Sequence, residues 1–232
     1  KKKSLSKSKN QSNFKISKEL SLNIYKLAEQ QKPIQTKLTE IIANLPNQAL
    51  DIVPVGKDES SNKIIRLEGK PRDFKFKIKS HSKLGELKDQ IDFKTSSKLS
   101  GSRFVVLKNQ FAYLERALIN FMLDIHIKKF DYKEISPPLI VNEDVMFGTG
   151  QLPKFEEDQF ELKNNADENR KFLIPTAEVV LTNLVRESLL NEKDLPLRFV
   201  SSTPCFRKEA GSYGKDTKGM MRQHQFYKVE LV

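Results

Sequence analysis

Cysteine occurs once in the 232-residue chain, as Cys205, so an internal disulfide is excluded. Histidine is nearly as scarce: His81, His126 and His224 are too scattered in sequence to suggest a metal cluster. No run approaches the roughly 20 apolar residues that a membrane-spanning helix needs, and no stretch has the apolar core and small-residue cleavage site of a signal peptide. These absences fit a soluble protein of a reducing cytoplasm, with no membrane partner. Acidic residues are also in short supply. Asp and Glu number 30 against 41 Lys and Arg, a net charge of +11 that suits a polyanionic partner.

That charge is unevenly spread. Residues 1–50 hold ten Lys, no Arg and three Glu. Leu20, Leu27, Ile34 and Ile41 stand seven apart, with Ile24, Leu38 and Leu45 four residues after members of that set, which is a heptad seam in need of a partner helix. Pro33 removes a helical hydrogen bond within it, so a kink, or two helices meeting there, is expected. Pro46 ends the seam, and the polar, turn-rich NQALDIVPVGKDESSNKI follows. With 38% hydrophobic residues, the chain can carry one well-cored domain and an appendage. The expected organisation is a helical arm over 1–45, a connecting segment over 46–102 and a core over 103–232. The start at KKKSLSKSKN, without Met, reads as an internal piece of something longer.

Within the core, Phe104–Leu107 reads as a short strand. The following helix repeats Phe111, Leu114, Leu118, Phe121, Met122 and Ile125 at intervals of three and four, and is expected to pack on the core through them. From residue 130 short β runs alternate with turns, implying an antiparallel sheet and an α+β class. NNADENR marks a hairpin over 159–174. After Pro175, Thr176 is placed to cap a helix with Leu181, Leu184, Val185 and Leu189 on one face.

The closing stretch FRKEAGSYGKDTKGMMRQHQFYKVELV carries the chemistry. Strand alternation puts Arg207 with Glu209, and Arg222, His224, Phe226, Lys228 and Glu230 together, around a loop containing Gly211, Gly214 and Gly219. A wet charged hairpin face would explain any one of these residues. A phenylalanine centred among charges, however, suits a surface that stacks a nucleobase, and arginines beside it suit phosphates. Glu209 and Glu230 would repel phosphate, so they should face an exocyclic amine, or the ammonium or hydroxyl of a second substrate. Neither GxxxxGK[ST] nor GxGxxG occurs, so the sheet itself would bind the nucleotide.

FRKE, a loop, and RQHQFYKVE resemble motif 2 of the class II aminoacyl-tRNA synthetases. DYKEISPPLI is similar to motif 1, with Pro138 as its dimer-interface proline and Asp131 where Gly is usual. TGQLPKF, the IPTAE box at Ile174 to Glu178, TPCFR, GSRF and ALINFMLD resemble the seryl enzymes of that class. The resemblance implies an antiparallel class II core flanked by helices, a coiled-coil arm that embraces serine tRNA and selenocysteine tRNA, and a homodimer. It implies that L-serine and ATP, with Mg²⁺, form seryl-adenylate before transfer to tRNA. Arg207 would be the catalytic residue, holding the α-phosphate and the serine carboxylate. Glu209, Arg222, Gln223, His224, Gln225 and Phe226 would complete the ATP site, with Phe226 stacked on adenine. Thr176, Ala177, Glu178 and Glu230 would join Arg207 in binding serine. Nothing resembles motif 3 or the acidic metal-binding strand before it, so no metal ligand is assigned in residues 1–232, and these residues alone are expected to be inactive. The alternatives are a non-catalytic tRNA-binding relative and a class II ligase for another small amino acid.

Overall fold

The computed structural model describes residues 11–81, 84, 89–163, 169–210 and 219–232. The Lys-rich residues 1–10, most of the NNADENR turn and the interior of the glycine loop therefore lie outside the described residues. The chain divides into two compact units, residues 1–65 and 66–232.

In the first unit one helix, α1, spans Gln11–Asn44, with Pro33 inside it. Two helices meeting at Pro33 are not what forms. Pro33 withholds one donor from the carbonyl four residues back, on an exposed surface where water can satisfy it. The long helix on either side tolerates that loss. The seam is exposed: Leu27, Ile34 and Ile41 are 64%, 69% and 53% accessible.

In the second unit, β1 (Ile91–Asp92) and β2 (Val106–Leu107) pair antiparallel around α2 (Phe93–Ser100). Asp92 caps α2: its carboxylate accepts Thr95 N–H at 2.8 Å and Lys108 Nζ at 2.6 Å. The expected strand at 104–107 is thus shortened to its last two residues.

The helix α3 (Asn109–Phe130) packs on all three strands of the sheet that follows, along a stripe that shares only Phe111 and Ile125 with the one expected. Leu114, Leu118, Phe121 and Met122 are exposed, whereas Phe111, Glu115, Ile119, Leu123 and Ile127, each four residues apart, are half-buried. Two adjacent stripes of this helix are apolar, and periodicity cannot tell which one docks. Asp131 ends α3 in the left-handed region, φ 58° and ψ 37°. Glycine takes that conformation without steric cost, which is a physical reason for glycine at this point of the motif.

The central sheet has the order β3 (Lys133–Glu134), β7 (Phe199–Phe206), β8 (Gln225–Leu231). β7 and β8 form the expected antiparallel hairpin, but β3 joins β7 in parallel. A second sheet is ordered β4 (Ile140–Asn142), β6 (Lys171–Leu173), β5 (Glu161–Leu162), and its β5–β6 pair is the expected hairpin. Arg170 clasps it by bonding Glu143, Glu156 and Glu161.

Two short helices, α4 (Glu143–Gly148) and α5 (Glu178–Asn183), close over this second sheet. The core consists of Val141, Met146, Leu152, Phe172, Ile174, Val179 and Val180. Burying each large side chain contributes about 1.5–3 kcal/mol. Ile174 N–H bonds to Leu139 C=O, and Phe206 N–H bonds to Ile174 C=O at 2.9 Å, so the core-locked Ile174 strand end is tied to the end of β7. α5 is shorter than the expected helix, and Leu189 is fully exposed.

Candidate active site

Direct partners in an antiparallel pair share a face. Cys205 pairs with Phe226, Thr203 with Lys228 and Ser201 with Glu230. The small residues Ser201, Thr203 and Cys205 are buried, so the larger side chains of β8 stand above a low floor. The expected shared face therefore holds for Phe226, Lys228 and Glu230. Arg222 and His224 precede the first residue of β8 and do not continue it.

Glu230 lies at the centre of one group. Its two oxygens lie 2.6 Å from the Thr176 hydroxyl, and it accepts Ala177 N–H at 2.8 Å and Lys228 Nζ at 2.8 Å. Burial raises the Glu230 pKa, but Lys228, Thr176 and the Ala177 N–H outweigh it and hold the carboxyl below its ordinary value. Thr176 is not a helix cap: Ala177 occupies the cap position of α5 without a side-chain bond, and the Thr176 hydroxyl is committed to Glu230. Glu178 is exposed at the first turn of α5.

Arg207 leads to the second group. Its Nε donates to Pro175 C=O at 3.1 Å, and its guanidinium carbon lies 5.3 Å from the Phe226 ring centroid, a cation–π distance. Arg207 N–H bonds to His224 C=O, and a ring nitrogen of His224 lies 2.9 Å from Arg207 C=O. The His224 ring itself packs beside Phe104 and Phe160.

A cavity of about 640 Å³ opens beside this group. Arg207, Glu209, Arg222, Gln223, Gln225 and Phe226 line it, together with residues of α2, β2 and α3. His224, Thr176 and Glu230 do not. The structure thus brings together six of the seven nucleotide candidates and places His224 behind Arg207.

Strand alternation fails at Glu209, whose φ of 51° is left-handed. Such a backbone costs about 1–2 kcal/mol for a non-glycine residue. Neighbours hold it in place. Arg103 Nη1 donates to Glu209 C=O at 3.1 Å, Asp158 C=O accepts Lys208 N–H, and Asp158 Oδ1 accepts Ala210 N–H at 2.7 Å. The Glu209 carboxylate meets Arg222 Nη1 at 3.2 Å. On the far side of the loop, Met220 N–H donates to His81 Nε2 at 2.8 Å.

Sequence reasoning missed these supports. GSRF contained Arg103 and strand period placed Lys228 beside Glu230, but nothing local marked Asp158 or His81. Cys205 is buried, and burial pushes its thiol pKa up, which leaves it protonated and unsuited to nucleophilic attack.

Residues 159–232 match the tRNA synthetase class II core domain (G, H, P, S and T). With its hairpin sheet, this chain has the class II tRNA synthetase fold. Over its whole length it is homologous to the serine–tRNA ligases. It is 56% identical over 231 residues to the serine–tRNA ligase of Pelagibacter ubique (strain HTCC1062), covering 100% of this chain and 55% of that protein. To the serine–tRNA ligase of Ehrlichia canis (strain Jake) it is 58% identical over 197 residues, 85% of this chain and 45% of that one. The chain thus spans about half the length of the curated relatives it matches. The crystal structure of seryl-tRNA synthetase from Pyrococcus horikoshii complexed with ATP superposes with a TM-score of 0.82 at 36% identity, covering 95% of this chain and 53% of that one. The cytoplasmic serine-tRNA ligase from Naegleria fowleri in complex with AMP gives 0.81 at 26% identity, covering 97% and 52%.

Proposed function

We propose that this protein is a serine–tRNA ligase. It activates L-serine with ATP and passes the seryl group to the 3′ end of serine tRNA, with selenocysteine tRNA as a second acceptor. The observation that carries this reading is the presence of two unlike recognition groups on one strand. Phe226 lies beside Arg207, and Glu230 is bonded to Thr176 two strand periods further along. The aromatic face with its guanidinium suits adenine and phosphate, while the carboxylate and hydroxyl suit an ammonium and a small alcohol. The relatives solved with ATP and AMP support a nucleotide as a ligand.

Arg207 bridges the two groups. It takes the α-phosphate and the serine carboxylate, Arg222 takes the bent triphosphate, and Glu209, Gln223, Gln225 and Phe226 surround adenine. His224 contributes by fixing the Arg207 backbone. Thr176, Ala177, Glu178 and Glu230 bind the ammonium and hydroxyl of serine. A serine carboxylate oxygen bonds to the α-phosphorus as the bridge to the β-phosphate breaks, and pyrophosphate leaves. The terminal hydroxyl of the tRNA then attacks the seryl carbonyl, and AMP departs. The protein contributes orientation and charge stabilisation, chiefly through Arg207, with no covalent nucleophile.

Mg²⁺ would supply charge neutralisation on the phosphates. Among the described residues no group of three or more His, Cys, Asp or Glu is placed to hold a metal. No helix of the described residues is long and apolar enough to cross a membrane, consistent with work in the cytoplasm. The exposed seam of α1 is proposed to be part of a tRNA-binding arm. The exposed stripe of α3 and the Pro138 turn are proposed to meet a second copy.

Amino-acid-dependent ATP–pyrophosphate exchange on the full-length protein tests the reading. Exchange with serine alone is expected. Exchange with a different amino acid would overturn the specificity, and none at all would favour a non-catalytic binding role. Residues 1–232 by themselves are expected to give no exchange.

A further inference from the structure

Glu230 is already met by three donors. A carboxylate offers about four lone-pair directions. Oε1 accepts Lys228 Nζ at 2.8 Å, Oε2 accepts Ala177 N–H at 2.8 Å, and the one proton of the Thr176 hydroxyl goes to either oxygen, both 2.6 Å away. Lys228 Nζ also donates to the Thr176 oxygen at 2.7 Å, so it fills the position that bridges Thr176 and Glu230. An ammonium bonded to these same two acceptors needs the bridging position, so a donor already there must move aside. Ala177 N–H belongs to a fully buried residue beside the core-packed Val179 and Val180. Thr176 is 4% exposed and stiff at its branched β-carbon. Lys228 remains: its side chain is 31% exposed, against 14% for Glu230, on a flexible four-carbon stem.

We propose that Lys228 Nζ is an internal stand-in for the substrate's amino group, filling the ammonium position between Thr176 and Glu230 until an amino acid displaces it. The inference rests on the serine site proposed above. The exchange conserves charge, since one ammonium leaves as another arrives, and Glu230 is at no stage buried without a cation. It also sharpens specificity. A hydroxy acid that matches serine in its carboxylate and side-chain hydroxyl carries no cation to replace Lys228, so it is rejected by more than one missing contact.

The test uses Lys228→Gln and Lys228→Met in the full-length protein, with KM for serine and for ATP and kcat read separately by pyrophosphate exchange. Glycerate serves as the amine-free inhibitor. Removing the internal competitor is expected to lower KM for serine about fivefold, the scale of one part-exposed ion pair, and to leave KM for ATP unchanged. Glycerate is expected to inhibit the variants more strongly than the wild type. A raised or unchanged KM for serine in both folded variants would overturn the proposal, because Lys228 would then support the bound state or be indifferent to it. Amine-directed labelling of the wild type, read by mass spectrometry, needs no variant. Lys228 should label faster with serine present, and protection by serine would contradict the exchange. If the wild type neither binds nor exchanges with serine, the serine reading fails before the variants are made.

Discussion

The Thr176 hydroxyl lies 2.6 Å from both carboxylate oxygens of Glu230, a residue 54 positions later in the chain. The bond joins the start of α5 to the end of β8. It explains why a threonine in a good capping position does not cap its helix.

Replacing Thr176 with valine keeps the shape and removes the hydroxyl. KM for serine is expected to rise roughly 10- to 100-fold, the range of one to two lost hydrogen bonds to charged groups, with little change in KM for ATP. Steady-state pyrophosphate exchange measures both. An equal rise in the two constants would place Thr176 outside the amino-acid site.

At Asp131 the left-handed backbone closing α3 carries a side chain that glycine would spare, and a negative charge at the negative end of the helix dipole. Asp131→Gly is expected to raise stability by about 1 kcal/mol, less what glycine adds to the freedom of the unfolded chain. Urea unfolding followed by circular dichroism reads the midpoint. A lower midpoint would mean that Asp131 makes a compensating contact.

Among the described residues four carboxyls are held low in the folded state, the first being Asp58, lowered by its bonds from Ser60. Bonding to Lys108 holds Asp92 far below the usual carboxylate range, and bonding to Arg170 lowers Glu161. For Glu230, burial acts upward but is outweighed by Lys228, Thr176 and Ala177. Because each folded pKa lies below its unfolded value, the associated stability is complete above about pH 4.5 and is lost as pH falls through the folded values. The unfolding midpoint should therefore decline below pH 4, where these carboxyls outnumber Glu115, which burial raises and which acts in the opposite sense. A midpoint that rises on acidification would contradict these assignments.

Gly219 sits at φ 74°, and a Cβ there would lie 2.1 Å from His81 Nε2. Gly219→Ala should cost about 1–2 kcal/mol from the backbone alone and break the His81–Met220 bond at the loop stem. ATP affinity should weaken with it, because Met220 and Arg222 line the same cavity. Adding His81→Ala removes the clash but not the φ strain, so a partial rescue is expected in a double-mutant cycle. Full rescue would show that the left-handed backbone costs nothing.

The sequence made the β7–β8 hairpin readable because strands repeat every two residues, and Phe226, Lys228 and Glu230 keep that period within β8. The alternation breaks at Glu209, where a positive φ, invisible in the residue type, turns the chain. The docking face of α3 was not legible because Leu114, Leu118 and Phe121 are as apolar as Phe111, Ile119 and Leu123. Pro33 signalled a kink or a meeting of two helices, and of these the second does not form, since one missing donor is small against a helix of 34 residues. Thr176 followed the rules of a cap while serving a carboxylate far along the chain. Asp158 and His81 support the loop stem through long-range bonds that leave no local trace.

The most direct test is the equilibrium affinity of the full-length protein for a non-reactive sulfamoyl analogue of seryl-adenylate, compared with its alanyl counterpart. If the Glu230 group and the Arg207–Phe226 group form one surface, the seryl analogue binds at least about 100-fold tighter, and Arg207→Ala weakens both analogues alike. Equal affinity for the two analogues, or binding indifferent to Arg207, would contradict the account.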